Sequence, residues 1–175
     1  KLLNGTPIPF HQIPCLVVDD ITIAQTGAIA RFCGKLSGLY PENEPIEAAR
    51  IDQFIDFVTD LNLLLSGTNT ISDQTKKIVA RKDLAQGLLR KKLAMLEICI
   101  SENLAWVASN KISVADIAIW RLIGWFTAGV IDGFPKDMIK LFPKLRKLCL
   151  AVDEHEKVQK WVAKTYPKNY PRGNY

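Results

Sequence analysis

The chain has 175 residues, of which 48% are hydrophobic and 23% are charged, a composition typical of a globular protein that buries its own core. No apolar run reaches the roughly 20 residues that a membrane-spanning helix needs, so we expect no membrane span. The net charge of +5 comes without the interleaved aromatics or motifs of nucleic-acid-binding proteins, so we expect no nucleic-acid partner.

The first predicted element is a β-hairpin. The approach to it, Lys1 to Phe10, contains one glycine and two prolines and is predicted to be irregular. Two β-rich runs follow, Cys15 to Val18 and Ile21 to Ala24, and only Asp19-Asp20 separates them. Two residues are the length of a tight hairpin turn, and Asp tolerates the positive φ that a type I′ turn requires.

A helix is predicted directly after the second strand. Gly27 to Phe32 has helical composition, and Thr26 is a plausible N-cap residue. A strand that runs into a helix start favours anion binding, because free N–H groups and the helix dipole meet there. The glycines and prolines that follow give residues 39–45 the composition of a linker between two domains.

Long helices are predicted from residue 46 onward. The first of them has an apolar face with 3.6-residue spacing, and Asp52, Asp56 and Asp60 lie four residues apart on its other side. Like charges at this spacing destabilise an isolated helix by about 0.2–0.5 kcal/mol per pair. The acidic stripe is either a solvated face or a set of carboxylates that a cation from elsewhere neutralises, such as a ligand amine or a partner chain.

A second long helix is predicted from Asp73 to about Glu102, and a capping box opens the next one. Ser113 would be the N-cap and Asp116 the N3 residue, followed by a run that is apolar nearly all round, as in a buried central helix. Three shorter helices and an extended tail over the surface should follow, near residues 136–141, 143–153, 154–165 and 166–171.

The cysteines and histidines do not form a metal-binding pattern. Cys15, Cys33, Cys99 and Cys149 are widely spaced, and neither of the two histidines stands at ligand spacing from them. We therefore expect no metal, free thiols, and a cytoplasmic or other reducing intracellular compartment.

Several motifs together resemble the cytosolic glutathione S-transferases, nearest the sigma-like class. The first is Ile13-Pro14-x-Leu16-x-Val18-Asp19, followed by Gln-Thr and Ala-Ile-Ala-Arg. Trp106-Val107-Ala108 with Ser113-x-Ala115-Asp116 resembles the family's Val-Gly…Ser/Thr-x-Ala-Asp signature, although Ala108 replaces the usual Gly. The Asp52 helix and Phe142-Pro143-x-Leu145 also resemble family segments, in the family's order.

This resemblance implies an α+β fold. Residues 1–38 would be the C-terminal half (ββα) of a thioredoxin-like glutathione-binding domain, residues 39–45 a linker, and residues 46–175 an all-α helical-bundle domain. The resemblance begins after the family's first βαβ unit, so the catalytic Tyr, Ser or Cys of that unit has no match here. Either that unit is present outside this sequence, or another chain covers the open edge of the sheet.

The resemblance also implies roles in binding glutathione. Ile13, before a cis Pro14, would offer its backbone N–H and C=O to the cysteinyl part. Gln25 and Thr26 would bind the γ-glutamyl group, and Gln12 would contact the backbone or the glycyl end.

On the acidic stripe, Asp60 would reach across a homodimer to the γ-glutamyl amine, and Asp56 would assist it. The function implied is the conjugation of glutathione, as a substrate, to small electrophiles. One alternative is a non-catalytic structural or assembly subunit of a larger complex, with protein partners. Another is a glutathione-binding sensor or carrier.

Overall fold

The computed structural model describes residues 2–3 and 6–175, with side chains described from residue 7 onward. Within the predicted irregular approach, Leu2–Leu3 (β1) pairs antiparallel with Thr6–Pro7 (β2), and a 3-10 turn covers Pro9–His11. The approach is thus more regular than predicted, because pairing satisfies backbone groups of both short segments. The rest of that prediction, at Lys1, Asn4 and Gly5, lies outside the described residues.

The predicted hairpin is confirmed. Cys15–Val18 (β3) pairs antiparallel with Ile21–Ala24 (β4), and Val18 lies opposite Ile21. The two turn residues have positive φ angles, 46° at Asp19 and 65° at Asp20, as a type I′ turn requires.

The next helix, α1, runs from Thr26 to Ser37, so Thr26 is its first residue and not its N-cap. Gln25 occupies the N-cap position and its side chain makes no capping hydrogen bond. The first helical bond runs from the Ile29 N–H to the Gln25 carbonyl, 3.0 Å away, which is why the helix begins one residue earlier than predicted. After α1, helix α2 begins at Pro45 and ends at Ser66.

The predicted single helix from Asp73 to Glu102 is wrong. The structure has two helices there, Gln74–Gln86 (α3) and Leu88–Cys99 (α4). Gly87 separates them with a backbone far from helical values, φ −99° and ψ −106°. A Cβ at Gly87 would lie 2.8 Å from the Asp83 carbonyl oxygen, so a glycine allows this break.

The predicted capping box at the start of Val114–Thr127 (α5) is confirmed. One oxygen of the buried Asp116 carboxylate accepts from the backbone N–H and the hydroxyl of Ser113, at 2.8 and 2.7 Å. The other accepts from the Val107 N–H at 2.9 Å, which ties the preceding loop to the helix. Burial raises the pKa of Asp116, although these hydrogen bonds act in the opposite direction.

Helix α5 forms the centre of the core, as its all-round apolar sequence predicts. Ile119, Ile123 and Phe126 are at most 2% exposed, and burial of each such side chain stabilises the fold by about 1.5–3 kcal/mol. The helix packs against both α2 and Pro143–Asp153 (α6).

The predicted helix at 143–153 is confirmed as α6, whereas the elements on either side of it are shorter than predicted or begin later. The helix predicted at 136–141 is a 3-10 turn over Met138–Leu141, and a further 3-10 turn covers Gly67–Thr70. Helix α7 spans Glu156–Thr165 because His155 before it is extended. No helix among residues 2–3 and 6–175 is long and apolar enough to cross a membrane.

Candidate functional site

The end of the β3–β4 hairpin brings two of the predicted site residues together. The Gln25 Nε2 donates to Gln12 Oε1 at 3.3 Å, and both side chains are exposed. Gln25 has φ 71° and ψ 121°, an unusual conformation for a residue with a side chain, which turns the chain from β4 into α1. The side-chain amides of Gln12 and Gln25 therefore lie next to each other at the start of α1.

The N-terminus of α1 has free hydrogen-bond donors. The first N–H groups of a helix have no partner within the helix, and here no side chain caps them. Thr26 is exposed, and the first turn contains no acidic residue. With the positive end of the helix dipole, this geometry is suited to a carboxylate ligand.

The predicted cis peptide bond between Ile13 and Pro14 is confirmed. It lies between Gln12 and β3, so the same short segment contributes Gln12, Ile13 and the start of the hairpin. The Ile13 side chain is 82% exposed.

An ion-pair cluster connects α1 to α2. Arg31 Nε donates to Asp52 Oδ1 at 2.5 Å and its Nη2 to Asp56 Oδ1 at 2.7 Å. The Tyr40 hydroxyl donates to both Asp52 oxygens, at 3.0 and 3.1 Å. A Cβ at Gly27 would lie 2.9 Å from Arg31 Nη1, so the guanidinium packs against the first turn of α1.

The charges of this cluster are matched within the chain. Burial lowers the pKa of Arg31, but the hydrogen bonds and charges of Asp52 and Asp56 outweigh burial, and its pKa lies above the ordinary value. Burial and the bond to Asp52 raise the pKa of Tyr40. The carboxylates of Asp52 and Asp56 on the acidic stripe are therefore neutralised by Arg31 of the same chain.

Asp60 is not part of this cluster. It is exposed on α2, one turn beyond Asp56, and makes no ion pair or side-chain hydrogen bond with the rest of the described chain. Sequence reasoning missed the roles of Arg31 and Tyr40. Arg31 is the last residue of the Ala-Ile-Ala-Arg motif, which was an available signal, whereas nothing near Tyr40 in the sequence points to Asp52.

A separate apolar cavity of about 450 Å³ lies between the α5 face and α7. The apolar residues that line it are Leu39, Ile112, Ile117, Trp120, Val158, Trp161 and Tyr166. Arg121 and Lys157 are its charged lining residues, and the buried Nδ1 of His155 has no hydrogen-bond partner within the described part of the chain. This size is within the range of small-molecule pockets.

The part of the chain that the structure describes holds no cluster of three or more His, Cys, Asp or Glu side chains suited to a metal ion. Ser113 and Asp116 lie inside the fold as a structural capping box, and all four cysteines are free thiols.

The chain is similar in sequence to known proteins. Residues 60–165 match the family model described as "Glutathione S-transferase, C-terminal domain". Glutathione S-transferase P 10 of Caenorhabditis elegans is 30% identical over 127 residues, 71% of this chain and 58% of that protein. Human glutathione S-transferase A3 is 25% identical over 173 residues, 98% of this chain and 74% of that protein.

A solved structure gives the same result for the fold. The prostaglandin synthase D of Nilaparvata lugens superposes with a TM-score of 0.79 at 26% identity, covering 94% of this chain and 78% of that chain. The match covers nearly the whole chain, and the element order agrees with it, so the fold is α+β, a ββα thioredoxin-like part followed by an all-α part.

Proposed function

Because the chain belongs to the cytosolic glutathione S-transferase family, we propose that it binds glutathione at the junction of β4 and α1 and conjugates it to small electrophiles. The observation that carries this proposal is the uncapped N-terminus of α1, flanked by Gln12 and Gln25. The glutathione γ-glutamyl carboxylate is an anion of the size that such a helix start binds.

Each residue has a proposed part in holding the tripeptide. The Thr26 hydroxyl and the first N–H groups of α1 donate to the γ-glutamyl carboxylate, and Gln25 contacts the same group. The backbone N–H and C=O of Ile13, before Pro14, pair with the cysteinyl residue. Gln12 contacts the backbone or the glycyl end.

The γ-glutamyl amine needs an anion, and the acidic stripe offers one. The Asp56 carboxylate already forms an ion pair with Arg31. We therefore assign Asp56 only an assisting part in binding the amine, as a member of the ion-pair cluster. Asp60 has no ion-pair partner in residues 2–3 and 6–175, and we propose that it reaches the amine bound by the other subunit of a homodimer.

The proposed reaction joins the glutathione sulfur to an electrophilic carbon. The thiol loses its proton to solvent water, the thiolate sulfur forms a bond to the carbon, and a leaving group such as chloride departs with the electron pair of the broken bond. The residues assigned here bind and orient glutathione. None of these residues is assigned the role of lowering the pKa of the glutathione thiol. Free thiols at all four cysteines support a reducing compartment, and we propose a cytoplasmic or similar location.

Conjugation by the full-length protein tests this proposal. We expect it to be retained on immobilised glutathione, and we expect chlorodinitrobenzene to be consumed only when glutathione is present. Electrospray mass spectrometry should show the thioether product. Absence of both retention and turnover with a panel of electrophiles would contradict the proposal.

A second candidate, the assembly subunit, is favoured by one observation. Within the described residues, β3 pairs with β4 alone, so its other edge presents backbone groups that a strand from elsewhere can pair with. This candidate predicts a stable hetero-complex after gentle purification from the native source. A protein that elutes alone as a monomer or self-dimer would count against it.

A further inference from the structure

A cavity of about 210 Å³ lies between the α3–α4 break and the segment that leads into α6. We call it the break cavity. Three of its lining residues, Ala85, Met138 and Phe142, are buried in the core, and a fourth, Leu141, is 56% exposed. The cavity therefore offers an apolar surface to a small ligand group.

Two segments that are distant in sequence contribute polar side chains to the break cavity. Gln86 is the last residue of α3, and Arg90 lies in the first turn of α4, so the break at Gly87 lets both helices line it. The other segment contributes Lys140 of the 3-10 turn and Asp137, the residue just before that turn. Charges of both signs thus line one small cavity.

These charges have no ion-pair partner in the part of the chain that the structure describes. Arg90, Asp137 and Lys140 take part in none of its ion pairs, although all three line the same cavity. The Asp137 side chain does not cap the turn that follows it. The first turn of α4 contains no acidic residue to offset Arg90 and the positive end of the helix dipole.

We propose that the break cavity binds a free α-amino acid with an apolar side chain. Arg90 and Lys140 bind its carboxylate, Asp137 binds its ammonium group, and the apolar lining receives its side chain. A zwitterion matches this lining better than a simple anion does, because a carboxylate lines the cavity beside the two cations. The cavity is smaller than the roughly 300–1,000 Å³ of drug-sized pockets, which favours a ligand of this size.

The break cavity is separate from the proposed glutathione site and from the open edge of β3. Helix α1 packs against the hairpin, α2 and α5. The break cavity is lined instead by α3, α4 and residues 135–142. The proposal goes beyond glutathione conjugation, and a titration without glutathione tests it alone.

Isothermal titration of the full-length protein with L-phenylalanine tests the proposal. We expect a Kd of about 0.1–1 mM, as for a ligand of this size. N-acetyl-L-phenylalanine lacks the ammonium charge and L-phenylalaninamide lacks the carboxylate. Each should bind about tenfold more weakly, because one charged group of the cavity then loses its partner. L-phenylalanine should slow amide hydrogen exchange in residues 85–90 and 135–142.

Two variants connect each ligand charge to a side chain. Both positions are exposed, so the fold should tolerate the changes. Asp137→Asn should weaken L-phenylalanine binding about tenfold, and the N-acetyl compound should then bind within about twofold of L-phenylalanine. Arg90→Gln should weaken L-phenylalanine binding about five- to tenfold and remove most of the preference over L-phenylalaninamide.

The matched controls change the same charges at exposed positions that do not line the cavity. Lys91→Gln and Asp83→Asn should both keep wild-type affinity. The proposal is overturned if L-phenylalanine gives no saturable heat at concentrations about tenfold above the expected Kd. It is also overturned if Asp137→Asn still discriminates against the N-acetyl compound as wild type does, or if exchange slows only outside the two segments.

Discussion

Arg31 determines how the two halves of the candidate site fit together. Its guanidinium contacts Asp52 and Asp56 on α2 and packs against Gly27 on the first turn of α1. The side chain is 27% exposed, so solvent screens the ion pairs only in part. At the level of single residues, this side chain holds the uncapped N-terminus of α1 beside the acidic stripe.

The four cysteines differ in environment, which leads to a prediction about their reactivity. Cys149 is fully buried, and burial together with the nearby Asp153 raises the pKa of its thiol. Because the thiolate is the reactive form, Cys149 should resist iodoacetamide at neutral pH. Raising the pH to about 8.5, the ordinary pKa of a thiol, should not make Cys149 reactive. Peptide mass spectrometry should show modification of the exposed Cys33 and Cys99 in the folded protein.

Unfolding in urea provides the control for this labelling experiment, because all four thiols should then react. Modification of Cys149 in the folded protein as fast as that of Cys33 would contradict the burial of Cys149 on the core side of α6.

Between elements, Glu97 connects α4 to α6. Its two carboxylate oxygens accept from the Lys144 and Leu145 backbone N–H groups, each at 2.8 Å. These N–H groups belong to the first turn of α6, whose own N-cap residue, Phe142, provides no side-chain cap. A side chain more than 40 residues away in sequence thus replaces a local cap.

Removing this cap should destabilise the protein. Glu97→Ala leaves two partly buried N–H groups without an acceptor, and we expect a loss of about 2 kcal/mol in the free energy of unfolding. That corresponds to a fall in Tm of about 4–8 °C for a chain of this size. Urea titration and thermal unfolding followed by circular dichroism measure both quantities. Glu42→Ala, an exposed loop position, should change neither by more than about 0.5 kcal/mol. An equal loss in both variants would rule out this role for Glu97.

The elements that could be predicted are those whose signals lie close together in sequence. The Asp19-Asp20 turn and the Ser113 capping box need two and four neighbouring residues, and both are confirmed. The break at Gly87 was missed because a single glycine inside a helical pattern is usually tolerated at a cost of about 1 kcal/mol.

Tertiary pairings could not be predicted from local pattern. Arg31 meets Asp52 across 21 residues, Glu97 meets Leu145 across 48, and Tyr175 meets Trp120 across 55. Each pairing depends on how helices pack. The candidate site was therefore predicted at the hairpin and the start of α1, whereas the residue that links it to α2 was not.

For the whole molecule, the α1 start and α2 form one surface with both signs of charge. Arg31 neutralises Asp52 and Asp56, and Asp60 lies one turn further along α2. The γ-glutamyl end of a glutathione molecule bound at α1 would carry both a carboxylate and an amine. In the proposed homodimer, the helix start of one subunit and Asp60 of the other would bind these two groups.

Isothermal titration of the full-length protein with reduced glutathione tests the central claim most directly, with variants at the first residue of α1. Thr26→Ala should weaken binding about ten- to hundredfold, because a hydrogen bond to a charged group contributes about 1.5–3 kcal/mol. Thr26→Ser keeps the hydroxyl and should bind within about twofold of wild type. Thr75→Ala, in the first turn of α3, is the control and should bind normally. Wild-type affinity in Thr26→Ala would contradict the assignment of the glutathione site to the start of α1.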